Sequence, residues 1–144
     1  MDKRDLKAIG IGVVSAVLLS AIMAPLIMTG ISPLPAPLSL AFAESVLQTR
    51  LPLPVGLLFH VAWVTFFTWV YVRISPAIRF THALYLAAVL WVSALVVFMP
   101  IAGWGFLGLD VSPKLIVAAL LPHALFAVFI WGGGRLAGLA QVTE

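Results

Sequence analysis

Cysteine is absent from this chain of 144 residues, and charged residues are scarce. The lack of cysteine excludes a disulfide framework, a thiolate metal site and a catalytic thiol. Only 9% of the residues are Asp, Glu, Lys or Arg, so the chain has few of the side chains that cover a soluble domain. The eight Lys and Arg residues form no long basic run, and we therefore expect no binding to nucleic acid.

Long apolar runs, in contrast, are abundant. Apolar residues make up 63% of the chain, and its mean hydropathy is +1.18. Four stretches are long enough to cross a bilayer: residues 6–29, 54–72, 82–99 and 113–131. They predict an all-α membrane protein, a four-transmembrane-helix bundle forming one domain over residues 1–144. The first stretch, at about 24 residues, exceeds the core of a signal peptide, so we expect a retained helix.

Small residues recur at every fourth position of the first predicted span, at Gly12, Ala16, Ser20 and Ala24. Residues four apart share one face of a helix, and small side chains let a second backbone approach closely. The pattern predicts a helix-packing face. The alternative is that small residues are simply common in membrane spans.

A proline-rich segment, residues 31–37, separates the first two spans and cannot be helical. Residues 38–50 then form an amphipathic pattern of about 13 residues, which is too short to cross a bilayer. We expect a short helix here that either lies along the membrane surface or covers a cleft.

The cationic residues near the spans predict the orientation of the chain. Under the positive-inside rule they place both termini in the cytoplasm. We expect Arg73, Arg79 and Arg135 to contact anionic headgroups and Trp104 to lie at the outer interface. The predicted inner side carries Lys3, Arg4, Lys7, Arg73, Arg79 and Arg135, and the outer side carries Arg50 and Lys114.

The two halves of the chain resemble each other, which predicts a tandem two-helix repeat. Residues 23–26 (Met-Ala-Pro-Leu) end the first span, and residues 98–101 (Phe-Met-Pro-Ile) end the third. The second and fourth spans each carry a histidine followed at nearly equal spacing by an arginine. Two copies with an even number of spans would be related by an axis along the membrane normal.

No Asp, Glu, Lys or Arg falls deep within a predicted span. This argues against an ion-coupled transporter, which needs an intramembrane relay, and against a hydrolytic enzyme. We therefore expect no catalytic residues and no enzyme activity, and we expect no metal-ion site formed by a cluster of ligands.

Histidines and hydroxyls are the only polar candidates at depth, and His60 and His123 are the histidines of the second and fourth spans. Their related positions allow three interpretations. They are axial ligands of one b-type haem, they contact a quinone or another small ligand, or each hydrogen-bonds a neighbouring helix.

Pro100 and the turn at residues 103–108 (Gly-Trp-Gly-Phe-Leu-Gly), together with His60 and His123, resemble small four-helix bacterial inner-membrane proteins of unassigned function. The resemblance covers most of the chain, and it implies a fold and a location without an activity.

Three functions are open on this sequence. The first is an accessory or structural subunit that packs against other membrane subunits or against copies of itself. The second is an electron-transfer protein that binds a b-type haem or a quinone. The third is a protein that handles a lipid or another hydrophobic small molecule.

Overall fold

The computed structural model describes residues 1–139, and in that range the chain is helical and has no strands. Four of its five main helices are long and apolar enough to cross a membrane, which confirms the all-α prediction and indicates a membrane protein. The helices are α1 (Lys3–Met28), α2 (Leu38–Leu47), α3 (Leu53–Ile74), α4 (Phe80–Ile101) and α5 (Lys114–Leu136).

The last helix extends beyond the predicted end of its span at residue 131. It continues through three glycines to Leu136. Two of these glycines allow other segments to approach closely, because they have no side chain. A Cβ atom on Gly133 would lie 2.8 Å from Ile11 of α1, and one on Gly134 would lie 3.0 Å from Ile78.

The long helices associate as two closely packed pairs, α1 with α3 and α4 with α5. Helix α1 also packs against α5 and so joins the pairs, whereas α3 makes few contacts with either α4 or α5. This uneven packing leaves space between α3 and the second pair.

Close contact between α1 and α3 depends on small residues of α1. Gly12 and Ala16 are both buried, and a Cβ atom on Gly12 would lie 2.5 Å from the Cα atom of Thr65. The next two residues of the predicted face, Ser20 and Ala24, are only partly buried. The small-residue face therefore divides into a part that packs on α3 and a part that leaves open space.

Trp104 lies in a buried cluster with Leu34, Met99 and Leu115. Its side chain is only 7% exposed, so most of the ring packs against other protein atoms. The turn that carries Trp104 folds back over the end of α4, because the Trp104 N–H donates to the Met99 carbonyl at 2.9 Å.

The beginning of α1 is fixed by a buried carboxylate. Asp5 accepts hydrogen bonds from the Trp69 indole N–H at 2.8 Å and from the Arg73 guanidinium at 2.6 Å. Asp2 caps the helix by accepting from the Asp5 N–H at 2.8 Å. The capping pattern is visible in the sequence, but the ion pair joins two distant segments and is not.

Two cationic side chains of α1 donate hydrogen bonds to carbonyls at the ends of other helices. Arg4 donates to the carbonyls of Val72 and Ser75 at 3.1 and 2.9 Å. Lys7 donates to the Ala137 carbonyl at 2.7 Å. The start of α1 and the ends of α3 and α5 therefore lie at the same end of the molecule. The positive charges there also interact favourably with the negative ends of the α3 and α5 helix dipoles.

We expect Arg73→Gln to lower the thermal unfolding midpoint of the detergent-solubilised protein. The Asp5 side chain is only 5% exposed, and loss of its cationic partner leaves a buried charge uncompensated. The loss is moderated because Arg73 itself is 49% exposed. Arg79→Gln is the matched control, since Arg79 is exposed. Equal midpoints for the two variants would show that the ion pair contributes nothing.

Candidate functional site

An apolar cavity of about 470 Å³ occupies the space between the two helix pairs. Helices α1, α3, α4 and α5 supply its walls, and Leu38 and Phe42 of α2 cover part of it. Helix α2 packs on α3 at Gly56, where a Cβ atom would lie 2.7 Å from the Leu40 side chain. Of the two locations expected for the short helix, the structure favours the one over a cleft.

His60 and His123 line this same cavity, although they belong to different helix pairs. The structure therefore places at one cavity the two histidines that the sequence identified at depth in the second and fourth spans. Glu44 lies outside the cavity, where its carboxylate accepts from the Leu51 N–H at 2.9 Å. His82 also lies outside, with its Nδ1 2.7 Å from the Ser75 hydroxyl.

His123 is held by its own helix. Its Nδ1 lies 2.7 Å from the carbonyl oxygen of Ala119, one turn earlier in α5. A carbonyl oxygen only accepts hydrogen bonds, so Nδ1 carries the proton. In the neutral imidazole the opposite nitrogen, Nε2, is then a hydrogen-bond acceptor.

His60 has an unpaired ring nitrogen. Its Nε2 is enclosed by protein atoms and has no hydrogen-bond partner within residues 1–139. A buried polar atom without a partner costs about 1–3 kcal/mol. A ligand in the cavity could satisfy this nitrogen only if the His60 ring rotated, because protein atoms enclose it.

Aromatic rings connect α2, α3 and α4 along the cavity wall. The ring of Phe42 lies 4.6 Å from that of Phe98 and 6.0 Å from that of Phe59. Trp63 contacts Phe98 and Phe67 at centroid distances of 5.0 and 4.9 Å. These tilted and edge-to-face contacts hold α2 in place over the cavity.

The wall contributed by α4 contains a π-helical turn, Ala94–Phe98, in which the Met99 N–H donates to the Ala94 carbonyl five residues earlier. Pro100 follows directly and has no N–H, and its ring crowds the carbonyl four residues before it. The wider turn relieves this crowding and places Ala94 and Phe98 at the cavity. Such turns are often found at functional sites, and Pro100 was its only signal in the sequence.

The predicted helix-packing face of α1 lies only partly at the cavity. Ser20 and Ala24 line the cavity, whereas Gly12 and Ala16 do not. Arg79 is exposed at the start of α4. The guanidinium of Arg135 lies 5.7 Å from the centre of the Trp131 ring, a cation–π distance.

A comparison of the chain with protein-family models, with curated proteins and with solved structures finds no match.

Proposed function

We propose that this protein binds an apolar small molecule within the membrane, in the cavity between its helix pairs. The observation that carries the proposal is that His60 and His123, from different pairs, line one cavity of about 470 Å³. A cavity of this size with mostly apolar walls and a few convergent polar groups is typical of a ligand site.

Two other features support ligand binding over simple helix packing. A π-helical turn opens the α4 wall, and Phe42 covers the space with an aromatic ring. A handling role for a lipid or another hydrophobic molecule follows from this arrangement.

A b-type haem or a quinone is the second candidate for this cavity. His123 favours it, because its Nδ1–H bonds a backbone carbonyl and leaves Nε2 free, as in histidines that bind metals. His60 fits less well, since its Nε2 is enclosed by protein atoms and its side chain would have to rotate to reach an iron. A haem bound by both histidines would supply electron transfer, and its Soret band in the purified protein is the test.

The prediction that the protein is an accessory subunit, or assembles with copies of itself, is compatible with ligand binding. In that case the cavity would hold a ligand for the larger complex. Co-purification of partner subunits, or a dimer in native mass spectrometry, is the corresponding test.

We also propose a four-helix bundle in a bacterial inner membrane with both termini in the cytoplasm. The support is that Arg4, Lys7 and Arg73 lie at one end of the helices, where they bond to carbonyls or to Asp5. Cations gathered at one end of the spans are expected on the cytoplasmic side.

A tandem two-helix repeat is proposed for the same chain. It is supported by the pairing of α1 with α3 and of α4 with α5. Each pair would contribute a proline near the end of its first long helix, Pro25 or Pro100, and a cavity histidine on its second. Helix α2 and the proline-rich segment would then be an insertion in the first copy.

Ala24→Phe tests the binding proposal because Ala24 lines the cavity. We expect that extraction of the wild-type protein from native membrane into nanodiscs, followed by mass spectrometry, finds an apolar molecule enriched over bulk lipid. In Ala24→Phe the added ring occupies cavity volume, and the amount of this molecule per protein falls several-fold.

The matched control is Ala88→Phe, the same substitution at an exposed position of α4 outside the cavity. It should retain the wild-type amount of the molecule. Equal retention in both variants, or no enrichment in the wild-type protein, would refute ligand binding in the cavity.

A further inference from the structure

The hydrogen-bonding state of His123 determines which polar group a ligand can present to it. The carbonyl of Ala119 accepts the Nδ1 proton, so the free Nε2 of the neutral ring can only accept. The neutral imidazole costs less free energy than the charged imidazolium in an apolar environment without water. A ligand group that contacts Nε2 must therefore be a hydrogen-bond donor. A carbonyl or ether oxygen at that position would be repelled by the lone pair of Nε2.

The rest of the cavity wall limits the charge of the ligand. The described lining contains no Asp, Glu, Lys or Arg side chain. Its polar groups besides the histidines are the hydroxyls of Ser20, Ser39 and Ser93 and the Trp63 indole. A carboxylate, phosphate or ammonium placed here would lose its hydration without gaining a counter-charge, which is strongly unfavourable.

The hydroxyl proton of Ser93 is donated to the Val89 carbonyl at 2.8 Å, so this hydroxyl can only accept a further hydrogen bond. Aromatic and aliphatic side chains form most of the remaining wall, among them Phe42, Trp63 and Phe98. The cavity is therefore complementary to a largely apolar, uncharged molecule with few polar groups.

We propose that the ligand of this cavity is a neutral lipid with a hydroxyl group, which donates its hydrogen bond to Nε2 of His123. The proposal rests on the proposed function, and it adds the chemical class of the ligand. A prenyl or other long-chain alcohol and a hydroquinone share this donor chemistry.

Paired probes that differ only in the donor test this inference. Farnesol is compared with farnesyl methyl ether, and a prenyl hydroquinone with its dimethyl ether. Binding to the protein in nanodiscs is followed by tryptophan fluorescence, because Trp63 lines the cavity. We expect the hydroxyl form of at least one pair to bind about three- to ten-fold more tightly, as one hydrogen bond predicts. The preferred pair identifies the alcohol or the hydroquinone.

His123→Phe removes the acceptor and keeps a ring of similar size. In this variant the affinity of the hydroxyl probe should fall to that of its ether, while ether binding changes little. His82→Phe is the control, since His82 lies outside the cavity, and it should keep the preference. The wild-type comparison remains decisive if His123→Phe fails to fold.

The outcomes distinguish the proposal that the ligand carries a hydroxyl group from the proposal that the cavity binds an apolar ligand. Equal affinities within both pairs overturn the hydroxyl assignment and leave apolar ligand binding intact. Binding of none of the four probes overturns the hydroxyl assignment. Enrichment of an apolar molecule in the native extract would then still uphold ligand binding. A preference that persists in folded His123→Phe shows that another group accepts the hydroxyl.

Discussion

Gly12→Ala is expected to destabilise the protein, whereas Gly10→Ala is expected to stabilise it slightly or leave it unchanged. A Cβ atom on Gly12 would lie 2.5 Å from the Cα atom of Thr65, which is a backbone atom and cannot rotate away. Helices α1 and α3 would have to move apart, and overpacking of this kind costs about 1–3 kcal/mol.

Gly10 is the matched control because it belongs to the same helix and a Cβ atom there meets nothing within 4 Å. Alanine is the better helix former by up to about 1 kcal/mol, so Gly10→Ala gains in helix propensity without a clash. Thermal or denaturant unfolding in the same detergent measures both variants. Effects of the same sign and size would mean that α1 and α3 do not approach as closely as the structure describes.

Labelling of single-cysteine variants is expected to show which side of the membrane each end of α5 faces, with one variant labelled and the other unlabelled in cells with an intact inner membrane. Leu109, in the turn between α4 and α5, and Leu136, at the end of α5, are 50% and 92% exposed. In intact cells with a permeabilised outer membrane, an impermeant maleimide should label Leu109→Cys. It should label Leu136→Cys only after the inner membrane is opened.

The two variants are a matched pair, because both replace an exposed leucine and the chain has no cysteine of its own. Any label therefore reports one position. Labelling of Leu136→Cys alone in cells with an intact inner membrane would reverse the proposed orientation. Labelling of both variants under that condition would refute the proposal that α5 crosses the membrane.

The existence of the four long helices was predictable from the sequence because hydropathy and length are local properties. Their ends were less predictable. The glycines at residues 132–134 suggest a break when taken alone, but in the structure they remain helical, and Gly133 and Gly134 lie against Ile11 and Ile78. A helix boundary of this kind depends on which segment packs nearby, and no local pattern contains that information.

The candidate site was predictable only in part. His60 and His123 were conspicuous as polar residues within apolar spans, but periodicity does not show that they line one cavity. The burial of Trp104 and the pairing of Asp5 with Arg73 likewise depend on contacts between distant segments. The local sequence suggests an interface position for Trp104 and a headgroup contact for Arg73, and the tertiary contacts are additional to these predictions.

The π-helical turn at Ala94–Phe98 also determines the direction in which the later side chains of α4 point. Such a turn is equivalent to one residue inserted into an α-helix, so it rotates the following residues by about 100° relative to an uninterrupted helix. Met99, which is fully buried, keeps its inward direction through that offset. A related chain one residue shorter here would have to find another way to present the same side chains, which makes this insertion a feature to look for when distant sequences are aligned.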